Sequence, residues 1–127
     1  MKYGFSKTVD LPYDRTVEKV TTELKNEGFG VLTTIDVKDT FKKKLDVDCS
    51  KYVILGACNP AFAYQSLQAE EELGMLLPCN VIVYEKDGKT NVSAFDPTVM
   101  NKLTENSRVD TIAQQVKEKL QRVLAAV

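Results

Sequence analysis

Histidine is absent from the 127 residues. That removes Ser-His-Asp and Cys-His nucleophile pairs, the His-Glu-x-x-His metalloprotease site, Cys₂His₂ zinc fingers and His-ligated haem. Most familiar hydrolase chemistry goes with them. Arginine is scarce too: only Arg15, Arg108 and Arg122 offer a guanidinium fork for bidentate phosphate contacts. With 17 basic and 18 acidic side chains and a pI near 5.5, no long-range field gathers nucleic acid or an anionic membrane. Neither is expected as a partner. No Pro/Gly/Ser-rich linker, repeat or low-complexity stretch breaks the chain, and its four prolines are scattered. One domain over residues 1–127 is expected, long enough to build a core without disulfides or a structural metal.

Long apolar runs are missing as well. Met1 to Lys7 lacks the apolar stretch of a signal peptide, and the most apolar segment, Tyr52 to Ala63, is cut by Asn59-Pro60 well short of a membrane span. A cytoplasmic protein is expected. The odd count of three cysteines then argues for free thiols, because cytosolic thiol pools keep structural bridges open.

What is present is a clear alternation of periodicities. Tyr3 to Asp10 has strand composition and closes at Leu11-Pro12. Tyr13, Val17, Val20 and Leu24 then form one helical stripe, with Gly28 as the expected stop. Phe29 to Val37 reads as a second strand and Asp39 to Leu45 as a short helical turn whose Lys42-Lys43-Lys44 make a solvated face. The continuous apolar run Tyr52 to Cys58 suits a strand buried on both faces. Asn59 as N-cap and Pro60 as first helical residue launch a helix to about Leu73, ended by Gly74. Pro78 to Glu85 and Asn91 to Phe95 flank Asp87-Gly88, a tight-turn signal for an antiparallel hairpin. Ser107-Arg108-Val109-Asp110 fits a capping box, and an apolar stripe from Val109 to Leu124 carries a long last helix. The helices lie too far apart for repeating βαβ units, so the expected class is α+β: a mainly antiparallel sheet with helices on one face.

Chemistry has few places to sit. Cys58 ends a strand before a helix, and Cys79 opens the next strand; both are followed by asparagine. The dipole of the helix starting at Pro60 should favour a Cys58 thiolate below the ordinary thiol range near ~8.5. If the flanking strands are antiparallel, the expected case, the two cysteines share a sheet edge; a parallel crossover would separate them by a strand length, about 20 Å. Three readings stand side by side: two packed core thiols, a thiol pair for redox chemistry or a soft metal ion, and a single reactive cysteine. Cys49, among Asp46 and Asp48, is expected to be structural, and the cysteine spacings match no zinc-finger pattern. Gly28-Phe29-Gly30 is no phosphate loop, because a strand follows it where a helix N-terminus is needed. Glu70-Glu71-Glu72 reads as a solvated edge, and Asp36 and Asp96 as strand-end carboxylates, so no acid/base pair emerges. Phe62, Tyr64, Met75, Leu76 and Leu77 exceed what one helix face needs. That excess suggests either a subunit contact or a ligand pocket involving Asn59, Phe62, Met75 and Asn80.

The blocks Tyr52-Val53-Ile54-Leu55-Gly56-Ala57-Cys58-Asn59-Pro60 and Leu76-Leu77-Pro78-Cys79-Asn80-Val81-Ile82-Val83-Tyr84, with Asp96-Pro97, resemble the signature of the domain of unknown function 302 family. Gly28 to Leu32 and Ile35-Asp36-Val37 extend the likeness, which spans roughly residues 3–124. The resemblance implies a small bacterial or archaeal protein with a fold similar to one repeat of the TATA-box-binding protein: strand, helix, four antiparallel strands, terminal helix, and an extra inserted helix. It implies no reaction, and no DNA binding follows, since fold is not function and a basic saddle is absent.

Two functions from different classes therefore stand as expectations. The first is a binding or thiol-redox/soft-metal module built on Cys58 and Cys79; the alternative is a small-molecule binder or weak enzyme using the apolar pocket, with structural cysteines. A homodimer is expected in either case, because Tyr52 to Ala57 is apolar at both strand parities and one covered face does not explain that.

Overall fold

Gly4–Val9 forms β1, and the stripe read in the sequence becomes helix α1, Tyr13–Asn26. The structure is a computed structural model that describes residues 2–127. Gly28 ends α1 as expected: it sits at φ +87°, its N–H reaches the Lys25 carbonyl at 3.0 Å, and the Phe29 N–H reaches Leu24 at 2.9 Å. This left-handed turn swings Phe29 back into the core beside Leu24. Strand β2, Gly30–Asp36, follows and runs into helix α2, Val37–Leu45, whose Asp36 cap accepts from the Asp39 N–H. Two of the α2 lysines are held by carboxylates, Lys42 on Asp46 at 2.9 Å and Lys43 on Asp39 at 3.0 Å, all exposed. Strand β3, Tyr52–Cys58, then leads into helix α3, Pro60–Ala69, and a 3₁₀ helix over Glu71–Leu76.

Strands β4, Cys79–Lys86, and β5, Lys89–Phe95, make the expected hairpin. Asp87 and Gly88 both take positive φ, as a two-residue turn between right-twisted strands requires. After a 3₁₀ helix, Pro97–Met100, and one turn of α4, Asn101–Thr104, the chain ends in helix α5, Ser107–Ala126. The sheet is antiparallel throughout, in the order β1-β5-β4-β3-β2. This is an α+β fold.

The core lies under one face of the sheet. Val53, Leu55 and Ala57 of β3, Val81 and Val83 of β4, and Val92 and Ala94 of β5 meet Val20 and Leu24 of α1 and Val116, Leu120 and Val123 of α5. Burial of this face supplies the main stabilisation, at ~25 cal/mol per Å² of apolar area.

Three local expectations change. The helix after Pro60 stops at Ala69 instead of running to Leu73, and Gly74 lies inside the 3₁₀ helix, where Leu73 is buried in a small second core with Met100 and Val109. Ser107 does not cap α5; Asn106 does, accepting from the N–H groups of Arg108 and Val109 while its amide donates to the Ala69 carbonyl at 3.0 Å. Asparagine wins because one side chain satisfies the helix end and the end of α3 together. Finally, the helices are not all on one face: Val37 and Phe41 of α2 share a hollow with Tyr52 and Ile54, which point away from the core.

Candidate functional site

An apolar cavity of about 260 Å³ opens at the end of the sheet where β3 and β4 meet α3 and α5. Sequence-local rules place its walls. The turn after α1 delivers Phe29, the start of α3 delivers Phe62 and Ala63, and the α5 stripe delivers Ile112, Ala113 and Val116. A β-bulge contributes the rim: Val31 faces Ala57 and Thr33 faces Gly56, so Leu32 is the extra residue, 67% exposed at the cavity's edge.

Cys58 and Cys79 both line this cavity. The antiparallel register sets Ala57 opposite Cys79, so Cys58 lies one step along the adjoining strand. The sheet-edge placement expected from an antiparallel pairing is the one observed. Both thiols are free; Cys79 is buried and Cys58 half-buried. The direction at Cys58 is opposite to the one expected: burial pushes its thiol up. Pro60, at the first helical position, also lacks an N–H to offer. Burial pushes Cys79 further, to about 11, with the neighbouring Cys58 charge adding to the rise. Among the described residues no group of three or more His, Cys, Asp or Glu side chains gathers to hold a metal ion, so a soft ion would have the two sulfurs alone.

The other predicted pocket residues divide. Asn59 and Phe62 line the cavity; Asn59 stands at the N-cap of α3 but leaves the helix end uncapped, its amide reaching the Glu27 carbonyl at 3.4 Å. Met75 does not join them: it is 80% exposed on the 3₁₀ helix that replaced the expected end of α3. Asn80 is turned away too, exposed on the opposite face of the sheet beside Tyr52 and Tyr84, because strand alternation separates it from Cys79. Of the apolar excess around α3, Phe62 and Leu77 line the cavity, while Tyr64 and Leu76 remain exposed. Cys49 lies far from this edge, after α2, its carbonyl accepting from the Lys38 ammonium at 2.8 Å.

Sequence reasoning missed Leu32, Ser66 and Met100. A bulge leaves no mark in the alternation of Gly30 to Asp36, and Met100 enters through a 3₁₀ turn set by Asp96, whose carboxylate accepts from the Thr98 N–H and hydroxyl. The Asp96-Pro97 pair, read as a strand end, was the available signal for that turn. Burial opposes the Asp96 charge, but the Thr98 hydrogen bonds and the Lys117 ammonium, 3.1 Å away, hold its carboxyl below the usual range.

The opposite face of the sheet carries a second hollow of about 470 Å³ under Tyr3, Tyr52, Ile82, Tyr84 and Phe95, more polar than the first because Ser6, Asn80 and Ser93 also line it, with Tyr52 stacked on Tyr84 at 5.3 Å. Among the described residues no helix is long and apolar enough to cross a membrane.

Comparison with curated proteins returns no match. A family model described as "Domain of unknown function DUF302" matches residues 5–127. Among solved structures, the chain is similar to an uncharacterized conserved DUF302 protein from Bacillus stearothermophilus at a TM-score of 0.91 and 28% identity, covering 99% of this chain and 98% of that one. Matched by the family model from Phe5 to Val127, and sharing the fold of a DUF302 protein end to end, the chain belongs to the DUF302 family of uncharacterised proteins.

Proposed function

We propose that this protein is a small-molecule-binding protein whose site is the apolar cavity between β3, β4, α3 and α5, with Cys58 and Cys79 as parts of its wall. One observation carries the reading: a cavity of about 260 Å³ with no charged side chain in its lining. Ligand sites are concave and mostly apolar with a few polar groups, which fits this one. The raised thiols fit a packing role better than a nucleophile or a metal ligand, both of which need the thiolate. Free thiols in odd number also favour a reducing compartment, the cytoplasm.

A second reading, a dithiol for reversible oxidation or a soft metal, draws on the adjacency of Cys58 and Cys79 across the β3–β4 pair. A thermal-shift screen of metal ions and metabolite pools on the wild type and on a Cys58→Ala/Cys79→Ala variant separates the two. A ligand present at a hundred times its Kd should stabilise by ~2.7 kcal/mol. The cavity reading expects an organic ligand whose shift persists in the double variant. Stabilisation by a thiophilic metal alone, lost in that variant, would replace it with the dithiol reading.

We also infer that a second copy covers the open face of the sheet. Support comes from its composition: aromatic and branched residues with uncharged Ser6, Asn80 and Ser93 between them, in a chain that is 28% charged. Interface centres are similarly enriched in aromatics and depleted of charge, and an uncharged face does not repel its own copy across a two-fold axis. Light scattering at micromolar concentration should give twice the 14.2 kDa chain mass; a value at the chain mass refutes the pairing.

A further inference from the structure

We infer that the ligand selected by this cavity is an uncharged, largely apolar molecule of about ten heavy atoms, with no more than one or two hydroxyl groups. The inference rests on the binding reading above and adds the chemical class. Size comes first. An engineered apolar cavity of about 150 Å³ holds one benzene ring. At about 260 Å³ this one suits two fused six-membered rings or a branched chain of similar bulk.

Charge is excluded by the wall. Phe29, Phe62, Pro97, Met100, Ile112 and Val116 present only hydrocarbon and thioether. An ionised carboxylate or ammonium moved there without a partner would lose its hydration with nothing in exchange. The few polar groups are largely occupied: the Ser66 hydroxyl donates to the Phe62 carbonyl at 2.7 Å, and the Asn59 amide faces the Glu27 carbonyl. The nearby charges answer each other instead of the cavity, Glu27 with Arg122 at 3.0 Å and Asp96 with Lys117 at 3.1 Å. What remains is the acceptor side of the Ser66 oxygen and the Asn59 side-chain oxygen, which caps no N–H, enough for one or two ligand hydroxyls to donate to. The rim says the same, since the bulge places leucine at the mouth where a carboxylate-binding site would place lysine or arginine.

A matched pair of probes tests the class. At pH 7, 2-naphthol is neutral and 2-naphthoate is an anion on the same frame. Titration followed by ligand fluorescence should show 2-naphthol binding at least tenfold more tightly. Ala63→Phe, which fills the cavity from α3, should weaken 2-naphthol at least tenfold, and Leu32→Ala about threefold. Should Ala63→Phe fail to fold, perturbation of the Met100 and Ile112 methyl resonances by 2-naphthol locates the site in the wild type. If 2-naphthoate binds as tightly as 2-naphthol inside the cavity, the neutral class is overturned while the binding site stands. If neither probe binds, or 2-naphthol binds without disturbing those methyls, the cavity reading itself fails.

Discussion

The two faces of the central sheet are made from the same strands and meet different fates. On one face Val53, Leu55, Val81, Val83 and Val92 are almost wholly buried under α1 and α5. On the other, Tyr52, Ile54, Ile82 and Tyr84 remain partly open, one of the positions between them being Ser93. Hydrophobicity does not separate these sets; helix coverage does. A strand such as Tyr-Val-Ile-Leu-Gly-Ala-Cys announces that both parities want burial, and the stripes of two distant helices choose which parity receives it.

The largest break in that contrast should come from the covered face. Leu120→Ala, at a fully buried position on α5, should destabilise by about 3 kcal/mol in urea unfolding, because both transfer energy and a residual cavity are lost. Gly56→Ala should come next. Gly56 is a β3 residue of the uncovered parity, yet a Cβ there would overlap the Thr33 hydroxyl and stand 2.9 Å from the Pro78 ring. A destabilisation of about 2 kcal/mol would show that the open face is tightly packed at the end of the sheet even where its middle is exposed.

Asp96→Asn tests the tie that holds α5 over the covered face. Asparagine keeps an oxygen for the Thr98 N–H but drops the charge facing Lys117, at a cost of about 1 kcal/mol near neutral pH. The folded carboxyl is held below its unfolded value, so this stabilisation is present above the unfolded carboxylate range near ~3.9 and is lost as pH falls through the folded value. Urea midpoints from pH 5 to 2.5 should therefore fall less steeply in the variant. The smallest effect is expected from Ile82→Ala on the open face, below about 1 kcal/mol within one chain. If two copies pair there, the same substitution should instead weaken association in a concentration series.

Much of this arrangement was legible in the sequence where a single local rule decides. Asp87-Gly88 fixed its hairpin, Gly28 its helix end, and the stripe from Val109 to Leu124 its buried helix. The cysteines' shared edge was legible only on condition that β3 and β4 pair antiparallel, the arrangement expected over a parallel crossover and the one present. Where two local signals competed, the tertiary contact decided: Asn106 displaced Ser107 as cap because the end of α3 needed its amide. The thiol chemistry of Cys58 was misread for a related reason. A helix end two residues away is visible in sequence, whereas the burial that raises the thiol depends on a cavity whose walls include Phe29, Ile112 and Val116 from distant elements. Met75 and Asn80 were likewise adjacent to the site in sequence, but one extra turn and one step of strand alternation carried them away from it.

The strand order also sets a timetable for synthesis. β1 pairs only with β5, and the Ser6 hydroxyl that meets Ser93 across that pair must wait for 87 further residues. At ribosomal rates of about 5–20 residues per second the first strand is without its partner for roughly 4–17 s. During that interval its backbone is an open edge beside a nascent chain, and Lys7, placed in its middle, is the kind of residue that discourages pairing with the wrong strand. In the finished fold the same ammonium leaves that duty and binds the Leu124 and Val127 carbonyls at the end of α5.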